Sequence, residues 1–449
     1  MKLRYTLPLL FSALLFSCND SEILSVDANQ QSNSQLANQL AFPADDGAIE
    51  LTGSNSEKVE TVLTAFSANI KNEIYSQYDY SKPSPGELAE IKAKADELVA
   101  NCTTTKEKHD AIFNWIHDNV QYAENDYSIR NNAYDTFSKK KAVCQGYSEL
   151  LNAMLYTQDI VNVIANGFMN TGNGTAGHAW NYTNIDGVWY LSDATNDIVV
   201  KLSDNDTRFD PTHLSCNLHE DNNFIYKFDR GHINIGVIKN ASEQLVVPYS
   251  VNGYKITKFM PVIAYINTGE TDSYGSPIFN STTYDATTEL YIGKNITDIG
   301  SLEHNDNVAI AEVFPNLKNI YVDPENTTLA SHTGVLYSKI DGENVIRVIA
   351  PKVEHIELLP MEIVDKECGL NFLEELQVLV LPWNAILLDA MSISYCPKLH
   401  EIQHTAGCWI EDCAVYSNGD ESNNWQTVNL NETISFVEYI PTSVEDVKY

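Results

Sequence analysis

The stretch between His178 and Asp193 constrains the fold of this chain most strongly, because it predicts a hairpin of known register. The segments His178–Ile185 and Val188–Asp193 flank Asp186-Gly187, a dipeptide favoured in two-residue hairpin turns. In such a hairpin Trp180 lies opposite Asp193. His178, two residues before Trp180, lies on the same face of the sheet as Trp180 because side chains alternate along a strand. The pattern therefore predicts that His178 and Asp193 are diagonal neighbours within hydrogen-bonding reach.

A helix is predicted to begin close to Cys144. The apolar residues Tyr147, Leu150, Leu151 and Met154 follow it at helical spacing. Cys144 would then lie at or just before the first turn, where the helix dipole favours a negative charge by about 0.3–1 kcal/mol. This position favours the thiolate over the thiol.

Together these residues fit nucleophilic catalysis. Cys144 can attack an amide or ester carbonyl, His178 can serve as its base, and Asp193 can orient the imidazole. The backbone N–H of Cys144 is a natural donor to the oxyanion. Each residue alone also has an ordinary structural reading: a small buried hydrophobe, a satisfied strand histidine and a strand-end cap, respectively.

The sequence around these residues resembles the transglutaminase-like superfamily. The matching segments are Ala142–Ser148, which contains the cysteine, His178–Asn181 and Gly187–Asp193. The resemblance implies a papain-like helix packed on an antiparallel sheet over residues 55–240. By position, it also implies that Cys144 is the nucleophile, His178 the base and Asp193 its orienter.

Two positions depart from the pattern of that superfamily. Ala142 replaces the glycine common before the Val-Cys pair. The proline-threonine-tryptophan sequence usual after the aspartate is here Ala194-Thr195-Asn196. Neither departure removes a catalytic atom, but both alter the surroundings of the site.

Three helices are predicted before residue 125. Apolar residues recur on one face between Val59 and Ile74. Ser84 with Glu87, and Thr104 with Glu107, have the spacing of capping boxes at the start of the second and third helices. The polar stretch 125–141 is predicted to be a loop.

The N-terminus has the features of an export signal. Basic residues precede an apolar run from Leu7 to Phe16 that is too short to span a bilayer. The residues up to Cys18 resemble a bacterial lipobox, which predicts a lipoprotein signal at 1–17 and lipidation of Cys18. Ordinary cleavage to a soluble secreted product is the alternative. The polar segment 18–54 is predicted to be a flexible tether.

Composition excludes some partners and cofactors. The net charge of −33 makes nucleic acid a poor partner, because such a surface repels phosphates. No cysteine or histidine spacing matches a metal site, and we expect no cofactor. Seven cysteines follow Cys18, so an exported protein would keep at least one thiol free. Cys144 has a chemical reason to be that thiol, whereas Cys408 and Cys413 can pair locally.

Short apolar, strand-like segments separated by turns recur after about Gly236. The gaps from Leu290 to Leu317 and from Leu376 to Leu399 are 27 and 23 residues, within the range of leucine-rich repeats. Several segments also resemble the repeats of bacterial surface adhesins. Residues 241–449 are therefore predicted to form a leucine-rich-repeat solenoid with a C-terminal tail. A β-rich sandwich is the alternative, and no aromatic stripe that would name a ligand is visible.

The resulting prediction is an α+β protein: a papain-like transglutaminase core, then a β-rich leucine-rich-repeat solenoid. We expect a lipid-anchored cell-envelope protein, on the outer membrane or facing the periplasm or surface. Its cysteine peptidase, amidase or acyltransferase activity would act on a protein, peptide or cell-wall substrate, and the repeats would bind a protein or glycan. The alternative is a non-catalytic surface binding or adhesion protein that uses the core as a scaffold.

Overall fold

The computed structural model describes most of the chain between residues 42 and 439. Cys18 and Cys413 lie outside the described residues, as do the predicted signal peptide and most of the predicted tether. The described residues are 42, 47–76, 81–123, 130–259, 264–271, 277–299, 308–365, 368–389, 392–411, 415–416 and 434–439.

Residue contacts divide the chain into two compact units. The N-terminal unit holds Gly47–Lys239 together with Ser250–Lys255, and the C-terminal unit holds Asn240–Tyr249 and the chain from Ile256 onward. The segment Ser250–Lys255 belongs to the N-terminal unit although residues 240–249 do not. Two backbone hydrogen bonds hold it there, from Ile49 N–H to Gly253 O and from Lys255 N–H to Ile49 O, both 2.9 Å. The change in sequence pattern after Gly236 does not predict that this later segment packs with the N-terminal unit.

Capped helices precede the sheet of the N-terminal unit. Complete capping boxes formed by Ser84 with Glu87 and by Thr104 with Glu107 begin the second and third helices, as the sequence predicts. These helices are α1 (Asn55–Ala65), α2 (Pro85–Val99), α3 (Thr105–Asn119), α4 (Ala133–Lys139) and α5 (Cys144–Tyr156).

Two helix predictions need correction. The first helix ends at Ala65, so the apolar periodicity that continues to Ile74 runs beyond it. The stretch predicted to be a loop contains α4, which Asn132 caps by accepting a hydrogen bond from the backbone N–H of Asp135. An asparagine cap gives a weaker sequence signal than a capping box, because no glutamate completes the pair.

A mostly antiparallel sheet follows the helices. Its order is β10-β9-β7-β3-β4-β5-β6, with β8 beside β9, while β1 and β2 form a separate parallel pair. The strands are β1 (Gln121–Tyr122), β2 (Lys141–Ala142), β3 (Asn162–Asn170), β4 (Thr175–Ile185), β5 (Val188–Asp193), β6 (Ile198–Lys201), β7 (Phe209–Leu214), β8 (His219–Glu220), β9 (Phe224–Asp229) and β10 (His232–Ile238).

The β4–β5 hairpin has the predicted register. Asn181 pairs with Ser192 and Ile185 pairs with Val188 across the ladder. Asp186 and Gly187 make the turn with φ of +52° and +88°, the left-handed conformation that a two-residue turn of this kind requires. His178 and Asp193 therefore approach the same face of the sheet from adjacent strands.

The core of this unit lies between α5 and the helices around it. Helix α5 also packs on β3 and β4. Its side chains from Gly146 to Leu155 are all buried. Burying apolar area of this kind contributes about 25 cal/mol per Å², so α5 is held firmly against its neighbours.

The C-terminal unit consists of many short strands and one described helix, α6 (Val308–Val313). Of the strands that follow β10, the hairpin of β12 and β13 belongs to the N-terminal unit. These strands are β11 (Gln244–Val246), β12 (Ser250–Val251), β13 (Tyr254–Lys255), β14 (Lys258–Phe259), β15 (Ala264–Thr271), β16 (Pro277–Thr282), β17 (Glu289–Ile292), β18 (Asn319–Val322), β19 (Leu329–His332), β20 (Val335–Ile340), β21 (Glu343–Ile349), β22 (His355–Glu357), β23 (Ile363–Val364), β24 (Leu370–Asn371), β25 (Val378–Val380), β26 (Leu387–Leu388), β27 (Ile393–Ser394), β28 (Glu401–His404), β29 (Trp409–Ile410), β30 (Val415–Tyr416) and β31 (Ser435–Glu438).

Parallel ladders organise the last part of this unit. The ladders are β22-β25-β28-β31, β23-β26-β29 and β24-β27-β30. His355 pairs with Val378, and Val378 pairs with Glu401, each 23 positions further along. Strands β22–β30 thus form three successive triplets, each of which contributes one strand to every ladder, and β31 adds a fourth strand to the first ladder. The described residues form a mixed α/β structure with few helices and many strands.

Exposed aromatic residues in this unit were not visible as a stripe in the sequence. Phe372 is 68% exposed and its ring stacks on that of Tyr395, with centroids 4.6 Å apart. Trp409 is 69% exposed. Phe372 and Tyr395 lie 23 positions apart in the chain, so their rings meet only because β24 and β27 pair in register.

Candidate active site

The helix that carries Cys144 begins at that residue, as predicted. Val143 is its N-cap, with an extended backbone and no side-chain cap, and the Val143 N–H donates to Oδ1 of Asn131 at 2.9 Å. Cys144 is half-buried. The sulfur therefore lies at the N-terminal end of α5.

A glycine in the first turn allows the start of α5 to pack closely. A Cβ atom added at Gly146 would lie 2.6 Å from the Cβ of Ala142 and would also collide with the hydroxyl of Thr136. Only a residue without a side chain allows this approach. Gly146 thus fixes where Cys144 lies relative to β2 and α4.

His178 and Asp193 form the hydrogen bond predicted from the hairpin. The Nε2–H of His178 donates to Oδ2 of Asp193 at 2.9 Å. The side chain of His178 is 9% exposed and that of Asp193 is 1% exposed. The imidazole stacks on Trp180 with ring centroids 6.0 Å apart, and it also contacts Phe209. Packing and hydrogen bonding together fix the orientation of the ring.

The three sequence-predicted residues meet at His178. Besides its bond to Asp193, the His178 side chain lies close enough to that of Cys144 for the cysteine to influence the pKa of the imidazole. Burial alone lowers the pKa of His178, but the hydrogen bonds and negative charges of Asp193 and Cys144 raise it to about 9. The environment of His178 therefore favours the imidazolium.

Asn196 contacts the same carboxylate and was not predicted from the sequence. Its Nδ2 donates to Oδ2 of Asp193 at 2.8 Å and lies 3.3 Å from Nε2 of His178. The backbone N–H of Thr195 donates to the other oxygen, Oδ1, at 3.0 Å. In the sequence, Asn196 stands out only because it replaces the tryptophan usual at this position in the superfamily. That replacement does not indicate that its side chain contacts Asp193.

A buried polar network joins α5 to the sheet beside this site. Asn181 donates to Ser148 O at 3.0 Å and to Oδ1 of Asn162 at 2.8 Å. Asn162 donates in turn to the hydroxyl of Thr183 at 2.8 Å. These side chains are all buried, so each hydrogen bond offsets a desolvation penalty and fixes α5 against β4.

The network continues to helix α3. The hydroxyl of Thr183 donates to that of Ser192, which lies 3.0 Å from Nε2 of His109. His109 is fully buried, and burial lowers its pKa. A neutral imidazole here links α3 to the strand that carries Asp193.

The surroundings of other cysteines disfavour ionisation. Burial raises the pKa of Cys216 to about 12 and those of Cys368 and Cys396 to about 11. Within the described ranges there is no group of three histidine, cysteine or acidic side chains that could hold a metal ion. None of the described helices has the length and apolar character needed to cross a bilayer.

Comparison with known families supports the assignment of the core. Residues 92–194 match the model of the transglutaminase-like superfamily. This interval contains the cysteine, the histidine and the aspartate described above. No curated protein matches the chain.

Solved structures with local similarity include two proteins described as proteases. A proposed cysteine protease from Cytophaga hutchinsonii is 23% identical, with 32% of this chain and 56% of that chain covered and a TM-score of 0.24. A proposed protease from Parabacteroides distasonis is 15% identical, with 46% and 39% covered and a TM-score of 0.21. A leucine-rich repeat protein from Eubacterium ventriosum is 12% identical, with 49% and 83% covered and a TM-score of 0.16. The chain thus spans well under two thirds of the length of both proteases.

Proposed function

We propose that the transglutaminase-like domain of this chain is a cysteine enzyme that transfers or hydrolyses acyl groups at amide bonds of a protein or peptide. Cys144 is the nucleophile, His178 the base and Asp193 its orienter. The observation that carries the proposal is the shared imidazole: His178 is hydrogen-bonded to Asp193 at 2.9 Å, and Cys144 at the start of α5 lies close enough to influence the same ring. A cysteine beside a base that a third group orients is the arrangement that nucleophilic catalysis requires.

The first half of the reaction forms a thioester. The Cys144 proton passes to His178, and the sulfur attacks the carbonyl carbon of the substrate. The backbone N–H of Cys144, at the start of α5, can stabilise the oxyanion. The imidazolium then gives its proton to the leaving amine as the C–N bond breaks, which leaves the acyl group on sulfur.

The second half of the reaction decides the type of enzyme. His178 removes a proton from water or from a second amine, and that nucleophile attacks the thioester. Cys144 leaves as the thiolate and regains a proton from the imidazolium. Water gives hydrolysis, as in a peptidase or amidase, whereas an amine gives transamidation.

Substrate profiling tests this activity directly. Purified residues 19–449 would be incubated with a peptide library, with and without an added primary amine, and the products identified by mass spectrometry. We expect product formation that Cys144→Ala abolishes and Cys102→Ala, the same change at another half-buried free cysteine, preserves. An identical product set from the wild type and Cys144→Ala would contradict the catalytic proposal.

The C-terminal unit is proposed to be a leucine-rich-repeat solenoid that positions the enzyme on its target. Its support is the parallel pairing of strands 23 positions apart, which lies within the range of such repeats. Stacked repeats bury their strands against one another and expose a broad surface. Deleting this unit should weaken the use of the natural target but not the alkylation of Cys144.

The chain is further proposed to be a lipoprotein of the cell envelope, anchored through Cys18. The support is the sequence alone: a short apolar run that ends at a lipobox-like cysteine. Metabolic labelling with a fatty acid, followed by membrane fractionation, tests it. Label and membrane association should both be lost in Cys18→Ala, and an unlabelled wild-type protein would refute lipidation.

A further inference from the structure

Sheet β23-β26-β29 in the C-terminal unit exposes a row of apolar side chains. Ile363 pairs with Leu387, and Leu387 pairs with Trp409, in register across the three strands. Ile363 is 49% exposed, Trp409 is 69% exposed and Leu387 is half-buried. The next residues along the first two strands are buried and supply the core. The exposed row is therefore not what holds the coils together.

A second row, formed by the residue that directly follows each strand, is acidic. It consists of Asp365, Asp389 and Glu411, all partly exposed. The backbone N–H of Asp389 donates to Val364 O at 2.9 Å, and that of Glu411 donates to Leu388 O at 3.1 Å, so these two residues are held beside the ends of the neighbouring strands.

The two rows lie side by side on one face of the sheet. Exposure alternates from Ile363 through the buried Val364 to the partly exposed Asp365, and from Leu387 through the buried Leu388 to Asp389, so the first and third positions lie on the side that faces away from the core. Neighbouring strands lie about 4.8 Å apart. An apolar stripe and an acidic stripe thus run parallel across three coils.

We propose that this two-row face binds a cationic amphipathic segment of a protein partner, with the apolar side of the segment on Ile363, Leu387 and Trp409 and its lysines or arginines against the acidic row. Exposed apolar side chains that align in a row indicate an interaction site, and tryptophan is the residue type most often at the energetic centre of one. The acidic row selects for positive charge and speeds association.

The inference rests on the proposed binding role of the C-terminal unit and is independent of catalysis at Cys144. It narrows the class of partner from protein or glycan to a basic polypeptide. The overall charge of −33 agrees with this choice, because anionic partners would be repelled.

The test measures peptide binding to the full chain by fluorescence anisotropy. The probe is a labelled helical peptide of about 18 residues, or five turns, with leucines on one face and lysines on the other. The control peptide has glutamates in place of the lysines. Binding would be compared for the wild type and three variants, namely Trp409→Ala, the triple variant Asp365→Asn/Asp389→Asn/Glu411→Gln, and the control triple variant Glu325→Gln/Asp341→Asn/Glu343→Gln.

We expect the lysine peptide to bind the wild type and the control triple variant equally. Trp409→Ala should weaken binding about thirtyfold, the loss expected at a tryptophan hot spot. Neutralising the acidic row should also weaken peptide binding about tenfold, because three ion pairs with peptide lysines can no longer form. The affinity of this variant should no longer depend on salt concentration. Thermal unfolding profiles that match the wild type would show that both variants remain folded.

Other results would overturn the proposal. If the lysine peptide bound the wild type, Trp409→Ala and the acidic triple variant with equal affinity, its binding site would lie elsewhere. If it did not bind the wild type at all, the proposed binding face would be refuted. Equal affinity for the glutamate peptide would exclude charge selection. Binding of a neutral oligosaccharide that Trp409→Ala abolishes, while the acidic triple variant does not, would identify a carbohydrate site instead. Since Cys144 alkylation provides a separate readout, each of these failures leaves the enzymatic proposal standing.

Discussion

Replacing Asp193 by asparagine should lower the pKa of His178 by about 2 units or more. In the native protein the hydrogen bonds and charges of Asp193 and Cys144 overcome the effect of burial and raise this pKa from 6.5 to about 9. The difference corresponds to about 3 kcal/mol of preference for the imidazolium. In Asp193→Asn the main negative charge is gone, so burial prevails and the neutral imidazole is favoured.

The sign of the linked stability change follows from the direction of this shift. Because the pKa is higher in the folded state than in the unfolded state, protonation of His178 stabilises the fold fully below pH 6.5. That contribution, about 3 kcal/mol, is lost as the pH rises through about 9. The free energy of unfolding of the wild type should therefore exceed that of Asp193→Asn most strongly near pH 6, with the gap narrowing toward pH 10.

Two measurements check this prediction. Imidazole ¹⁵N chemical shifts give the pKa of His178 directly, with His178→Gln used to assign its signal. Urea unfolding at several pH values gives the linked stability. Asp197→Asn is the matched control, because it removes an exposed carboxylate only four positions away. A wild-type His178 that titrates near 6.5, or an unchanged pKa in Asp193→Asn, would refute the reasoning.

Three further predictions concern residues around the site. Asn196→Ala should raise the pKa of His178 further, since the carboxylate of Asp193 loses a competing donor at 2.8 Å; the same NMR titration detects this, and a lowered pKa would contradict it. Gly146→Ala should destabilise the fold by about 1–3 kcal/mol through overpacking, whereas Gly177→Ala, which meets open space, should change it little. Asn162→Ala should cost about 2–3 kcal/mol in urea unfolding, because Asn181 and Thr183 each lose one buried hydrogen bond; a loss below 1 kcal/mol would show that water replaces the amide.

The local geometry of the site was predictable from the sequence where short-range chemistry decides it. The Asp186-Gly187 turn fixes the register of the hairpin, and that register brings His178 to Asp193. The start of α5 follows from the apolar spacing after Cys144. Both predictions depend on residues close together in the chain.

The remaining contacts depend on long-range packing, which the sequence pattern does not encode. The bond between His109 and Ser192 joins residues 83 positions apart, and a buried histidine has no sequence signature. The Asn196 amide lies only three positions from Asp193, but its direction depends on how the chain leaves β5. The exposed rows around Trp409 arise only when successive coils are in register.

The hydrogen bonds between Ile49 and the segment Ser250–Lys255 determine where the chain can be shortened. A shortened polypeptide that stops near residue 240 would leave the backbone of Ile49 without its partners, Gly253 and Lys255, and Phe66 without the ring of Tyr254. Instability of such a fragment could then be mistaken for a requirement for the C-terminal unit. Gene fragments intended to isolate the N-terminal unit should therefore extend at least through Lys255.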